Sequence, residues 1–515
     1  TGKGERGMLK AENNRRIAKN TGILYLRTIL ILVITLYTSR IVLNTLGIEN
    51  YGIYDIIGGF VAFFSVVSAT MVASTQRFLT FELGKKEGHS QEVFGAAMTI
   101  HIVLALILLL LFETVGLWFL NAKLNIAAER MHAANWVYQC SVLTFLINIL
   151  SIPYNATIIA HEKMNVFAYI NILEVTLKLL IVYFLLISPV DQLILYAVLV
   201  LCVAVFVRFI YGAYCLRHFP ETMLIREKSY YKKITQFAGL NFLGASSYIL
   251  AGQGINLLLN LFFGVTVNAA RGIALQVEGA IMKFVNDFTT ALNPQITKSY
   301  ACEDKDYMME LVCRGSKYSF LLFLFLALPV MVETPLVLSI WLKEVPEYTV
   351  IFVRFSLSIA MLNTLSAPLT TCVLATGNIK AMSLWIGTVR LCVLPLAYLF
   401  LRWGYPPFIV YAVVLLTDML LLFVRIGIVT KVVRYSAVFF MKTVILRLIP
   451  VLLLSGLSAV LLSRFIAADS FVGLVAFTVT CLCVTAGVVA YAGLNDTERT
   501  YVVTMVRSKW GKPKR

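Results

Sequence analysis

Apolar runs of about 20 residues, long enough to cross a bilayer core as helices, recur along this chain from one end to the other. A soluble fold has no place to hide so much apolar surface. Hydrophobic residues make up 59% of the 515 against 14% charged, and mean hydropathy is +0.83. A soluble domain is roughly half apolar and a quarter charged. The pattern excludes a soluble enzyme, a nucleic-acid-binding domain and a disulfide-stapled secreted scaffold, and defines an all-α polytopic membrane protein. The net charge of +17 therefore does not indicate a nucleic-acid partner. Cytoplasmic loops of membrane proteins collect Lys and Arg because these resist translocation.

Spans of about 20 residues are expected near 22–43, 51–74, 93–117, 134–158, 166–187, 191–213, 237–261, 269–292, 317–340, 348–375, 381–401, 408–430, 443–463 and 471–493. That makes 14 transmembrane helices. Alternate connections differ in charge: one set carries about 29 of the basic residues and the other about five, Lys123, Arg130, Lys343, Arg402 and Arg464. Both termini are accordingly expected in the cytoplasm. Residues 1–7 lack an initiator and read as foreign to the native start, which is placed at Met8. No cleavable signal peptide is visible, because the first apolar run is full length and follows a basic stretch.

The longest basic connection falls after the sixth span, which suggests two six-helix lobes and an appended pair. The expected division is a 1–20 N-terminal segment, a 21–213 N-lobe, a 214–236 linker, a 237–430 C-lobe, a 431–493 helix pair and a 494–515 tail. A weak repeat at an offset of about 218 residues supports the two lobes: Ser74-Thr-Gln-Arg-Phe-Leu-Thr-Phe closes the second span and Asn293-Pro-Gln-Ile-Thr-Lys-Ser-Tyr the eighth. An even number of spans per half gives both halves the same orientation.

Ionisable side chains at membrane depth cost roughly 2.5–3.5 kcal/mol each on insertion scales, so each requires a reason. Helical spacing predicts the pairs Glu174–Lys178, Lys283–Asp287, Arg271–Glu278 and Asp418–Arg425. Arg271 and Glu278 share one stripe of the eighth span, while Lys283 and Asp287 point elsewhere around it. That helix is expected to border a hydrated cavity, and Arg27 in the first span occupies the equivalent place in the other half. Arg40, Arg354 and Arg390 add further cations. A surplus of guanidinium groups suits an anion, and a phosphate above all, which Arg grips with a planar fork. The candidate substrate residues are thus Arg27, Arg271, Arg40, Arg354, Arg390 and Lys283. Glu278, Asp287 and Asp55 are candidates for coupling to H+ or Na+.

Nine cysteines without a CxxC and five scattered histidines indicate neither a disulfide framework nor a metal site. No P-loop is present, no catalytic residues cluster, and no cofactor is expected. A carrier rather than an enzyme is the remaining reading.

Several strings then resemble a known family. They are Glu12-Asn-Asn-Arg-Arg-Ile-Ala-Lys-Asn-Thr21, Tyr37-Thr-Ser-Arg-Ile-Val-Leu-Asn-Thr-Leu-Gly-Ile-Glu-Asn-Tyr-Gly-Ile-Tyr54, Thr75-Gln-Arg-Phe-Leu-Thr-Phe-Glu-Leu-Gly84, Pro153-Tyr-Asn-Ala-Thr-Ile-Ile-Ala-His-Glu-Lys-Met164 and Asn268-Ala-Ala-Arg-Gly-Ile-Ala274. Together and in order they resemble the polysaccharide transporters, the Wzx-like lipid-linked oligosaccharide flippases of the superfamily that also holds the MATE pumps and the lipid II flippase. The likeness looks closest to lipopolysaccharide biosynthesis proteins of Bacteroides-like bacteria. It implies a MATE-like V of two lobes in a bacterial inner membrane. The implied activity is alternating access for an undecaprenyl-pyrophosphate-linked repeat unit of O-antigen, capsule or exopolysaccharide. Implied partners are that lipid-linked oligosaccharide, the lipid bilayer and a polysaccharide polymerase. Cationic cavity residues on the first and eighth helices are a feature of the relatives, and Arg27 and Arg271 stand at comparable places. The seventh span, with Gln253, Asn256 and Asn260, lacks the carboxylate common in drug pumps. A cation-coupled antiporter of the same fold and a non-transporting subunit of a glycan-assembly complex are the alternatives.

Overall fold

A computed structural model describes residues 2–62, 64–85, 88–123, 126, 128–187, 189–222, 230–342, 345–466, 470–495 and 498–499. The side chains of Arg40 and Asp55, along with Lys343, lie outside the described residues.

In chain order the helices are α1 (Gly2–Ala62), α2 (Ser65–Leu83), α3 (Ser90–Leu111), α4 (Leu117–Lys123), α5 (Met131–Ala160), α6 (Met164–Ile187), α7 (Gln192–His218), α8 (Tyr231–Phe263) and α9 (Val265–Ala301). There follow α10 (Lys305–Val332), α11 (Thr334–Trp341), α12 (Thr349–Thr376), α13 (Lys380–Leu391), α14 (Val393–Arg402), α15 (Ile409–Val433), α16 (Ala437–Phe440), α17 (Leu446–Phe465) and α18 (Phe471–Val488). No strand occurs among the described residues. This is what lipid demands, because a helix satisfies its own backbone hydrogen bonds where no water can.

Twelve helical stretches of the described residues are long and apolar enough to span a membrane, against the 14 expected. The two expected spans outside that set are the second, which is apolar but divided between two helices, and the eighth, which is one helix but polar. The second corresponds to the arm of α1 beyond Gly47 together with α2. Gly47 breaks α1 at φ +77° and ψ 165°, a conformation that a side chain bearing Cβ tolerates poorly. The eighth is α9, 37 residues long, whose four charged residues between 271 and 287 lower its hydropathy.

The chain forms two compact units. The first comprises Thr1–Ser246 and Thr290–Met308, and the second Ser247–Thr289 and Met309–Arg515. Apolar burial alone cannot hold helices together when lipid is as apolar as leucine, so close packing and polar contacts must do so. In the first unit Ile57, Phe112, Val137, Tyr138, Val142 and Ile149 form the centre of the packed core. The Phe112 carbonyl, which accepts from Leu117 N–H across the π-helical turn over Phe112–Gly116, also accepts from the Tyr138 hydroxyl at 2.7 Å. A Cβ on Gly116 would lie 1.9 Å from that hydroxyl, so any larger residue there must displace the Tyr138 ring and its hydrogen bond.

Glu162 anchors one end of this unit. It is buried, holds a left-handed φ of +58° in the turn between α5 and α6, and collects donors from two other helices. Arg16 Nε lies 2.9 Å and Lys298 Nζ 2.8 Å from its carboxylate, and Gln295 Nε2 donates at 2.5 Å. Its carbonyl accepts from Asn20 Nδ2 at 3.3 Å. The start of α1, the α5–α6 turn and the end of α9 thus meet on one residue, above which Leu24, Ile159, Met164 and Ala291 pack. Arg16 is 45% and Lys298 24% exposed, so water screens both cations. Glu162→Ala is expected to lose about 2–3 kcal/mol, mainly as charged hydrogen bonds. Glu162→Gly should lose about 1 kcal/mol less because it also relieves the left-handed backbone. Thermal unfolding of the purified variants measures the order; equal losses would contradict it.

Candidate functional site

In the first unit one group of polar side chains lies on α1, α6 and α7. Arg27 donates from Nη2 to Thr28 Oγ1 at 3.4 Å, and its guanidinium lies 5.3 Å from the centre of the Phe167 ring. Asn171, one turn beyond Phe167, donates to the Tyr211 hydroxyl at 3.2 Å. That hydroxyl is within charge range of both Arg27 and Glu174. Glu174 accepts from Lys178 at 2.6 Å, the pair that i,i+4 spacing predicts. Arg27 therefore sits at one end of a polar track that runs across three helices. Arg208 is separate and stacks 4.0 Å from the centre of the Tyr154 ring.

The second unit gathers more charge. Arg271, 8% exposed, donates from Nη1 to Asn256 Oδ1 of α8 at 2.6 Å. Glu278, seven residues along α9, lies within charge range of Arg271, Arg390 and Asp418. Asp418 on α15 is fully buried; its Oδ1 accepts from Arg390 Nη1 and its Oδ2 from Asn363 Nδ2 at 3.3 Å. The Arg390 guanidinium also lies 4.6 Å from the centre of the Tyr248 ring. The Tyr248 hydroxyl accepts from Arg425 Nη2 at 2.5 Å. Side chains from α8, α9, α12, α13 and α15 thus enclose three guanidinium groups and two carboxylates. Carboxylates buried in low dielectric are tolerable only when so matched, and the local balance is positive by one charge.

Of the residues expected at the site, Arg271, Arg390 and Glu278 come together here, while Arg27 belongs to the first unit. Asp418 goes to Arg390 rather than to Arg425, the partner that i,i+7 spacing predicts. Arg425 instead takes Tyr248, and its Nε and Nη1 have no hydrogen-bond partner among the described residues. Arg354 does not join the cluster: it donates to the carbonyls of Met331 and Val332 at 3.0 and 3.2 Å, where α10 ends and its carbonyls lack intrahelical donors. On α9, Lys283 is exposed whereas Asp287 is buried. Tyr248 and Asn363 carry no signal in the sequence, since Tyr248 follows Ser246-Ser247 and Asn363 precedes Thr364 like any polar patch of a packed helix.

The fold is similar to that of solved membrane transporters of the MOP superfamily. A multidrug resistance MATE family transporter of that superfamily in an outward-facing conformation matches with a TM-score of 0.70 and 13% identity, over 80% of this chain and 94% of that one. A MATE structure in the bent conformation matches with a TM-score of 0.70 and 14% identity, over 84% and 97%. A MOP superfamily transporter from Pyrococcus furiosus, described as having a binding pocket of reverse polarity that suggests a different function, matches with a TM-score of 0.66 and 13% identity, over 82% and 97%. The sequence narrows the class further. The model of the polysaccharide biosynthesis protein family matches residues 17–300, more than half of the chain, and the chain belongs to that family. Among curated protein sequences none matches.

Proposed function

We propose that the protein is a flippase. It moves an undecaprenyl-pyrophosphate-linked oligosaccharide, a repeat unit of O-antigen, capsule or exopolysaccharide, from the cytoplasmic to the periplasmic leaflet of a bacterial inner membrane by alternating access. The observation that carries this reading is the positive balance of the second unit's buried network, in a chain of the polysaccharide biosynthesis family. A carrier of cations needs carboxylates open to the cation, whereas here Asp418 is already bound by Arg390 and Glu278 has two guanidinium groups within reach. Guanidinium groups in excess suit the two phosphates, with the lipid tail remaining in the bilayer while the sugars cross. The polysaccharide polymerase is the natural recipient of the product.

In this reading α9, despite its charges, and the second arm of α1 with α2 also cross the bilayer, which gives 14 spans and cytoplasmic termini. At 1.5 Å per residue α9 is about 55 Å long, ample to cross. A cysteine at position 123 should label from the periplasm, and one at 228 only after permeabilisation; both side chains lie outside the described residues. Swapped labelling would overturn the orientation. The functional test is restoration of surface polysaccharide in a host lacking its own flippase. Expression without any restoration across hosts of matched glycan, with lipid-linked units left accumulating, would count against the proposal.

A further inference from the structure

The second unit holds a polar cavity whose lining shares no residue with the arginine network. Its volume is about 300 Å³, and it lies where α10, the π-helical turn after α16 and the segment following α18 meet. One wall is already satisfied. The Glu498 carboxylate accepts from Lys317 Nζ at 2.5 Å, the Tyr318 hydroxyl at 2.9 Å and the Asn495 amide at 2.8 Å. Burial would raise this carboxyl, but those donors outweigh it and hold Glu498 below the usual carboxylate range. Glu498 therefore stays charged and pins the end of α18 to α10.

Glu310 and Arg314 precede Lys317 on the same face of α10. Glu310 and Arg314 pair at 2.7 Å, each about a third exposed, and both line the cavity with the Thr443 hydroxyl. Arg447 adds positive charge within range of Lys317. The Asn495 Oδ1 atom is buried and accepts no hydrogen bond among the described residues. Phe439, 43% exposed, forms an apolar rim. The cavity thus offers cationic donors for an anion and, close by, a carboxylate and an orphaned acceptor for a group that donates N–H. In the proposed topology it lies at the end of helices that carry the basic connections, near the lipid headgroups, where basic pockets between transmembrane helices hold phosphates.

We propose that this cavity binds the headgroup of an aminophospholipid, a zwitterionic phosphoethanolamine. Arg314, with Arg447 behind it, takes the phosphate. Glu310 and Asn495 Oδ1 take the primary ammonium. The acyl chains leave past Phe439. A quaternary choline has no N–H for Asn495, and a glycerol headgroup has no cation for Glu310, so both should bind more weakly. The site is independent of the transported substrate, and its failure would leave the flippase reading untouched.

The test is native mass spectrometry of the delipidated full-length protein in detergent, titrated with dioleoyl phosphatidylethanolamine, phosphatidylcholine or phosphatidylglycerol. The ethanolamine lipid should bind at least about tenfold more tightly than either other lipid, the worth of one charged hydrogen bond. Asn495→Leu and Glu310→Gln should each reduce that preference to under about threefold, and Arg314→Ala should weaken all three lipids. Thermal unfolding of each variant without lipid shows that it is folded. Equal binding of the choline lipid, tighter binding of the glycerol lipid, or a preference unchanged in folded Asn495→Leu would overturn the proposal.

Discussion

Asp418→Ala is expected to destabilise the protein by about 3–5 kcal/mol, the loss typical when one partner of a buried ion pair is removed. The Asp418 side chain is 0% and that of Arg390 13% exposed, so water cannot replace the missing carboxylate. Asn363 loses its acceptor at the same time. Removing both charges should recover much of the loss, because no orphaned cation then remains in the interior. Arg390→Ala combined with Asp418→Ala should therefore be more stable than Asp418→Ala alone. A cycle with Arg425→Ala should show weaker coupling to Asp418, since the structure gives Arg425 to Tyr248 instead. The check is the unfolding midpoint and yield of the purified variants. Coupling stronger for Arg425 than for Arg390 would show that the helical spacing, not the structure, identified the partner.

The second large effect concerns Arg271 and Arg27. If either guanidinium group grips pyrophosphate, alanine at that position should lower substrate binding about ten- to a hundredfold, the worth of a charged hydrogen bond. Lysine should restore part of this, because it supplies charge without the planar fork. Arg271 is buried against Asn256, so Arg271→Ala also leaves an amide oxygen without its donor and should cost about 1–3 kcal/mol of stability. Arg27 is only part-buried, beside the Phe167 ring, and should cost less. The two effects separate in Arg271→Lys, expected to fold nearly as well as wild type while still binding substrate less tightly. Binding of a lipid-linked oligosaccharide to purified variants measures the first effect and thermal unfolding the second.

The sequence disclosed what local spacing controls. Runs of 20 apolar residues predict helices because the period and the length follow from the bilayer alone, and Glu174–Lys178 was legible because i,i+4 neighbours on a helix always meet. The mixed charges of α9 announced a helix that lipid cannot surround, and it is among the two that fall outside the twelve apolar spans. Partners between helices were not legible. Asp418 has Arg425 on its own stripe, but Arg390 on α13 approaches it more closely, and nothing in the spacing of 28 residues reveals that. Arg354 reads as an unpaired cation until the end of α10 supplies two carbonyls. Glu162 gave no signal at all, since its donors lie 146 residues before it and 133 to 136 residues after it. The break at Gly47 likewise depends on a backbone angle that many glycines never adopt.

The most direct test of the central claim is translocation by the pure protein. Proteoliposomes carrying a lipid-linked oligosaccharide in one leaflet can be assayed by the fraction of glycan that becomes accessible to a glycosidase on the other side. Wild-type protein should move the glycan well above the rate of empty liposomes, and folded Arg271→Lys should move it more slowly. Accessibility no greater than in empty liposomes, with the protein folded and correctly inserted, would contradict the flippase reading; wild-type rates in both Arg27→Ala and Arg271→Ala would show that the phosphates are held elsewhere.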